Sequence, residues 1–151
     1  KLEDGDKCIA TSGCRLASAT NGSICEGNGY GACASDYWGG KISVFDNSKC
    51  IGHGTYACMY SQYTNHSICE GYSGWSGTCA TSTYLSNSSC VGIGDATSSG
   101  ACANSTFEGN SWCEGNISGN CTNSTFKSGS YCVANVAGAC VTNASKYDAT
   151  I

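Results

Sequence analysis

The sequence predicts an all-β fold, a disulfide-stapled repeat array of short strands with little or no helix. Three observations predict it. Fourteen of the 151 residues are cysteines, and a density of about 9 per cent is typical of disulfide scaffolds. The cysteines recur at regular intervals, and no segment has the apolar periodicity of a helix. The strands could stack as a β-solenoid or follow one another as a meander of short hairpins.

The spacing of the cysteines predicts about seven repeats within a single extracellular domain, residues 1–151. Five of the six gaps between neighbouring close pairs contain ten residues, and only the gap from Cys33 to Cys50 is longer, at sixteen. A constant segment that alternates with a variable loop is a repeat signature. The repeats cover residues 8–24, 25–49, 50–68, 69–89, 90–112, 113–131 and 132–151.

The disulfide pairing is predicted to be local. The close pairs are Cys8/Cys14, Cys25/Cys33, Cys50/Cys58, Cys69/Cys79, Cys90/Cys102, Cys113/Cys121 and Cys132/Cys140. Bonds within these pairs are the simplest scheme that uses every cysteine. Bonds across the ten-residue gaps would instead leave Cys8 and Cys140 over, and spacing alone does not decide connectivity.

An aromatic residue stands five positions after the second cysteine of four pairs. These residues are Tyr63, Tyr84, Phe107 and Phe126. Each follows small or polar residues, and Thr and aromatic side chains favour extended backbone. One aromatic ring per repeat would build a narrow stacked core. Each repeat is therefore predicted to contain two short strands and two polar turns.

The first and last repeats are atypical, as expected of units that cap a stack. Ala19 takes the aromatic position in the first repeat and Ser145 takes it in the last. The apolar insert Trp38–Phe45 could add a strand or a hairpin, and its Phe45 is a candidate for the aromatic position of its repeat.

Composition and charge limit the function classes. Cysteine usage this high indicates an oxidising, extracellular compartment. A net charge of −4 with only seven Lys and Arg argues against nucleic-acid binding, and no apolar run approaches the length of a membrane span. The charged opening Lys1–Lys7 is not a signal peptide, so we expect the mature form of a secreted protein.

We expect neither a metal site, nor a cofactor, nor catalysis. Zinc knuckles need cysteines two to four residues apart, and every gap here is longer; His53 and His66 are expected to be exposed loop residues. Glu26, Glu70 and Glu114 each follow the first cysteine of a pair. Their equivalent positions do not suit a catalytic carboxylate pair, which needs two unlike environments. We predict a structural role, such as accepting hydrogen bonds from amides of the Gly-rich loops.

Asn-x-Ser/Thr sequons are the most abundant motif and predict covalent glycans. They occur at Asn21, Asn65, Asn87, Asn104, Asn116, Asn120, Asn123 and Asn143. Asn120 and Asn123 are too close for both to carry a glycan. Eight sequons in a disulfide-dense chain are typical of a glycosylated exterior protein.

Aromatic residues in the Gly-rich loops suggest an alternative, a carbohydrate-binding adhesin or lectin-like module. Tyr30, Tyr56, Tyr72 and Trp75 could stack on sugar rings if they are exposed. The alternative is that these rings fold back over a thin core.

Blocks such as Cys132-Val-Ala-Asn-Val-Ala-Gly-Ala-Cys140-Val-Thr-Asn resemble the Ala/Gly/Ser/Thr-rich repeats of protist surface antigens, such as ciliate immobilisation antigens. The resemblance covers most of the chain and implies an extracellular coat protein with no catalytic residues. The sequence therefore predicts a structural glycoprotein that self-associates into a coat or fibre. Residues 1–7 and 141–151 flank the cysteine array and could add strands to a neighbouring chain.

Overall fold

The computed structural model describes residues 1–11, 18–34, 42–72, 77–93 and 100–140. Within these ranges the chain is a parallel β-solenoid without a helix. One sheet contains β1 (Lys7–Ala10), β3 (Ile24–Gly27), β5 (Lys49–Gly52), β7 (Ile68–Gly71), β9 (Ser89–Gly92), β11 (Trp112–Gly115) and β13 (Tyr131–Ala134). The other contains β2 (Ser18–Thr20), β4 (Ser43–Asp46), β6 (Ser61–Thr64), β8 (Thr83–Tyr84), β10 (Thr106–Phe107) and β12 (Thr125–Phe126).

Neighbouring strands in both sheets are parallel and follow chain order, so each coil of the solenoid adds one strand to each sheet. A meander of hairpins would pair successive strands antiparallel. The structure therefore confirms the solenoid and excludes the meander.

The first cysteine of each pair lies in one row across the seven-stranded sheet, which we call the cysteine sheet. Cys50, for example, pairs with Cys25 on one side and with Cys69 on the other. Burial alternates along these strands: in β7 the Cys69 and Gly71 positions are buried, whereas Ile68 and Glu70 are partly exposed. The cysteines thus face the core, and the residues between them face outward.

Six of the seven predicted local pairs are disulfide bonds. They are Cys25–Cys33, Cys50–Cys58, Cys69–Cys79, Cys90–Cys102, Cys113–Cys121 and Cys132–Cys140. Their Cα–Cα distances of 5.9 to 6.1 Å lie in the usual range. Cys14 is outside the described residues, so the Cys8–Cys14 pair stays a prediction.

The predicted stack of aromatic rings fills the core. It consists of Phe45, Tyr63, Tyr84, Phe107 and Phe126, all at most 1% exposed. Successive rings are stacked nearly parallel, at interplanar angles of 6 to 12°, with centroids 4.6 to 5.0 Å apart. Ala19 pairs with Phe45 and continues the row, and Leu2 bridges to Ala19 at the N-terminal end. Ser145 lies outside the described residues.

Two rings of the stack carry a buried hydroxyl group. Tyr63 donates a hydrogen bond to the Cys58 carbonyl oxygen at 3.0 Å, and Tyr84 donates to the Cys79 carbonyl oxygen at 2.9 Å. Desolvation by burial raises the pKa of both tyrosines far above the usual value, and for Tyr84 the neighbouring Tyr63 raises it further. These two phenols must therefore stay protonated in the folded chain.

The protein should unfold in alkali as the pH rises above about 10, the pKa of an unfolded tyrosine. A folded-state pKa raised above the unfolded value contributes stability that is fully present below pH ~10 and is lost as the pH rises further. Tyrosinate absorbance and circular dichroism, recorded together, should show Tyr63 and Tyr84 titrating only with unfolding. A Tyr63→Phe/Tyr84→Phe variant should move the transition to higher pH. Titration of all nine tyrosines near pH 10 with the fold intact would contradict the prediction.

Two rows of buried serines link successive coils. In one row the amide of each serine donates to the hydroxyl oxygen of the serine in the next coil, at 3.1 to 3.2 Å along Ser61, Ser82, Ser105 and Ser124. The Ser82 hydroxyl also donates to the Ala80 carbonyl oxygen at 3.1 Å. Because each such hydroxyl is both donor and acceptor, it satisfies backbone groups that the tight corners leave outside the sheets.

Glycine ends the five interior cysteine strands, and at four of them the following coil lies too close for a side chain. A Cβ atom at Gly71 would lie 2.9 Å from the Ala101 Cβ atom, and one at Gly115 would lie 2.6 Å from the Ala139 Cβ atom. Both distances are shorter than carbon–carbon contacts allow. The glycines therefore fix how closely successive coils stack.

The C-terminal part of the apolar insert forms a β-strand of its coil. Ser43–Asp46 forms β4, which pairs with β2 and β6, and Phe45 occupies the predicted aromatic position. Residues 35–41 lie outside the described ranges, so the extra strand or hairpin stays a prediction there.

Candidate functional surface

The outward face of the cysteine sheet carries ion pairs between neighbouring strands. Lys7 lies 3.3 Å from Glu26, and Lys49 lies 2.6 Å from Glu70, measured from Nζ to the nearest carboxylate oxygen. Glu114 accepts a hydrogen bond from the Asn135 side-chain amide at 2.9 Å. The recurrent glutamates thus join adjacent coils. Their role is structural, as predicted, but their partners in the described residues are side chains, mainly of the neighbouring coil, and not the amides of the Gly-rich loops. Exposed pairs of this kind contribute little stability.

The loop aromatics lie on the surface beside this face. Tyr30, Tyr56 and Tyr72 are 71%, 37% and 39% exposed. Tyr30 and Tyr56 meet edge to face, with ring centroids 5.2 Å apart. These three rings do not fold back over the core, because the aromatic stack already fills it. Trp75 lies outside the described residues.

Polar partners hold the Tyr72 ring in place. The His53 ring stacks on Tyr72 at a centroid distance of 4.7 Å, and its Nε2 atom lies 3.8 Å from a Glu26 carboxylate oxygen. The Tyr72 hydroxyl donates to Glu70 at 3.2 Å. Partial desolvation, followed by the negative charge of Glu70, raises the pKa of Tyr72. The exposed Tyr72 ring is thus held by polar neighbours, and it could stack on a flat ligand.

The candidate glycosylation sites lie at two corners of the solenoid. Asn21, Asn65 and Asn87 are exposed in the turns that lead into cysteine strands, and Asn104 and Asn123 are exposed at the corner after the second cysteine. All five have positive φ angles of 51 to 64°. Asparagine tolerates this left-handed conformation better than most residues. The turns therefore explain why asparagine recurs here, whether or not it carries a glycan.

The remaining sequons differ from these five. Asn120 is fully buried, and its side-chain amide donates to the Gly92 carbonyl oxygen at 2.8 Å. A glycan on that nitrogen is incompatible with this fold, so the prediction at Asn120 is wrong. Asn116 is partly exposed and donates to the same carbonyl oxygen at 3.1 Å. Asn143 lies outside the described residues.

Sulfur atoms cluster in the core but are not arranged as free ligands. The sulfurs of Cys50, Cys58 and Cys69 lie within 4.8 Å of one another, as do those of Cys113, Cys121 and Cys132. All six are disulfide-bonded, whereas metals bind the thiolate. His53 and His66 are exposed, as predicted.

The serine rows are a feature that the sequence interpretation missed. Ser23, Ser48, Ser67, Ser88, Ser111 and Ser130 are buried in the turns before the cysteine strands. The signal was present, because each stands two positions before the first cysteine of a pair. Serine is common in turns, so its fixed position alone distinguished these residues from surface turn residues.

Within the described residues, we find no helical segment with the length and hydropathy needed to cross a lipid bilayer. Comparisons of the chain with protein-family models, with curated proteins and with solved structures gave no match. The fold itself defines the class: a disulfide-stapled parallel β-solenoid. Such a disulfide-rich solenoid fits a structural, extracellular repeat protein.

Proposed function

We propose that the chain is an extracellular structural glycoprotein without catalytic activity, a building block of a cell-surface coat or a self-assembling filament. One observation carries the proposal: successive coils repeat the same cross-section. Each interior coil adds a cysteine, an aromatic ring and a serine to continuous rows. A rod of constant cross-section suits a construction element, because one copy can stack on the next with the same spacing along an assembly.

The covalent and surface features support an extracellular location. Six disulfides close local loops, and such bonds persist in oxidising compartments. Five candidate asparagines are exposed at corners, where a glycan would point into solvent. Asn104 and Asn123 lie at equivalent corners just before the adjacent strands β10 and β12. Glycans on these two residues would therefore be attached about 5 Å apart. Occupancy of one site of this pair would therefore hinder the other.

Expression through a secretory pathway, followed by electron microscopy and intact-mass measurement, tests the proposal. We expect filaments or sheets at high protein concentration and glycans on exposed asparagines, with none on Asn120. A chain that stays monomeric at every concentration and carries no glycan would overturn the structural assignment. Enzymatic deglycosylation of the same sample controls for assembly that glycans alone mediate or block.

A second candidate function is carbohydrate binding by the loop aromatics. The exposure of Tyr30, Tyr56 and Tyr72 favours it. Glycan-array binding that a Tyr30→Ala/Tyr56→Ala variant abolishes, while Tyr131→Ala does not, would support this candidate. Tyr131 is a suitable control because it is similarly exposed, at 46%, but lies on β13. An array without hits, together with filaments, would decide for the structural function.

A further inference from the structure

The cysteine sheet ends at two edge strands within the described residues, β1 and β13. Within the sheet, the first amide of each strand donates to the carbonyl oxygen of the residue just before the neighbouring, earlier strand. The Ile24 amide donates to the Asp6 carbonyl oxygen at 2.9 Å, and the Tyr131 amide donates to the Ser111 carbonyl oxygen at 3.2 Å. To extend this pattern by one strand, the Ser130 carbonyl would accept from a new strand and the Lys7 amide would donate to one. The two edges are therefore complementary rather than equivalent.

The outward side chains make both edges of the sheet apolar. One outward row alternates between aliphatic and acidic residues along the sheet: Ile9, Glu26, Ile51, Glu70, Val91, Glu114 and Val133. Both ends of the row are aliphatic and exposed, Ile9 at 59% and Val133 at 37%. Interior aliphatic residues of this row lie beside a glutamate on each side, whereas each end residue has one free side at a sheet edge.

We propose that β13 of one copy pairs in parallel with β1 of a second copy and so continues the cysteine sheet from chain to chain. The pairing rests on the proposed function and names the contact that builds the assembly. In the register of the interior pairs, Val133 lies beside Ile9 of the next copy, and burial of both side chains favours association. Tyr131 lies beside Lys7 of the next copy, where a cation–π contact forms.

The contact is head to tail and does not close on itself. The solenoid coils stack in one direction, so a copy that docks on β13 presents its own β13 at the far end. A heterologous contact that does not close produces a filament. Pairing of two β13 strands would be antiparallel under two-fold symmetry, and it would stop at a dimer. With seven strands of this sheet per copy in the described residues, spaced about 4.8 Å apart, the axial repeat of the filament is about 34 Å.

Charge substitution at the two edges tests the contact. An Ile9→Lys/Val133→Lys variant places like charges side by side in every junction, whereas an Ile9→Lys/Val133→Glu variant places opposite charges there. We expect the first to raise the critical concentration for filaments about tenfold or more, and the second to restore assembly. Val91→Lys is the matched control, because it changes the same row on the interior strand β9, between Glu70 and Glu114.

Sedimentation velocity and electron microscopy of the intact, oxidised chains give the readout. Circular dichroism and non-reduced mass confirm that each variant is folded and fully crosslinked. Filaments that tolerate the double-lysine variant, or that show no repeat near 34 Å, would overturn the edge contact while the proposed structural function stands. Failure of the opposite-charge variant to assemble under conditions where the wild-type chain forms filaments would also overturn it. A wild-type chain that never assembles would overturn the edge contact, and one that also carries no glycan would overturn the proposed function as well.

Discussion

A Tyr84→Ala substitution should lower the free energy of unfolding by about 3 to 5 kcal/mol, the usual range for removal of a large buried aromatic side chain. Tyr84 is fully buried and stacks on Tyr63 at 4.8 Å and on Phe107 at 4.6 Å. Its neighbours cannot close the gap, because the backbone hydrogen bonds of both sheets fix the spacing of the coils. Denaturant titration under oxidising conditions, followed by circular dichroism, measures the loss.

Two further variants separate the causes of that loss. Tyr84→Phe keeps the ring but leaves the Cys79 carbonyl oxygen without its 2.9 Å hydrogen bond, which should cost about 1 kcal/mol. Tyr131→Ala removes an exposed ring from the outward face and should cost much less than Tyr84→Ala. Equal losses in the free energy of unfolding for Tyr84→Ala and Tyr131→Ala would show that the aromatic stack contributes no special stability to the core.

Full reduction of the disulfides should unfold the chain at room temperature. Each local loop contributes about 2 to 3 kcal/mol through the entropy of the unfolded chain. Six such bonds therefore contribute roughly 15 kcal/mol, as much as the whole stability of a typical domain. Circular dichroism before and after reduction, with alkylation of the thiols, measures the effect. A reduced chain that keeps its β-signal and unfolds cooperatively would contradict this estimate.

Removal of single disulfides should depend on position. Cys69 and Cys79 are fully buried in the middle of the stack, whereas Cys132 and Cys140 are only partly buried near its C-terminal end. A Cys69→Ala/Cys79→Ala variant should therefore lose more stability than a Cys132→Ala/Cys140→Ala variant, because it adds a core cavity to the lost loop constraint. The end pair serves as the matched control for loop closure, since the two bonds close loops of similar length.

The core could be predicted from the sequence because the coil geometry is strict. A fixed number of residues separates the second cysteine from the inward-facing ring, so Tyr63 and Phe126 are recognisable by count alone. The number of residues between paired cysteines varies, yet the strands before and after these loops keep the same register from coil to coil. The choice between a solenoid and a hairpin meander was open, because strands of two to four residues carry too few positions to reveal the direction of their partner.

The surface was harder to predict, because one sequence pattern serves two physical roles. Asn-x-Ser at Asn65 is both a glycan acceptor motif and the chemistry of a left-handed turn that precedes the buried Ser67. Asn120 has the same motif and is a core residue. Only its burial against Gly92 separates it from the exposed sites, and burial depends on contacts between residues distant in sequence.

The local disulfides have a mechanical consequence for any material built from this chain. The coil from Cys113 to Cys132 contains nineteen residue steps, but the Cys113–Cys121 bond, with a Cα–Cα distance of 6.1 Å, spans eight of them. Pulled taut, the coil reaches about 45 Å, compared with about 65 Å for the unbridged chain. Under tension, the oxidised chain would therefore extend in short steps, and the disulfides would hold back almost a third of the extension that each coil could otherwise reach. Its extensibility would depend on the redox state of the surroundings.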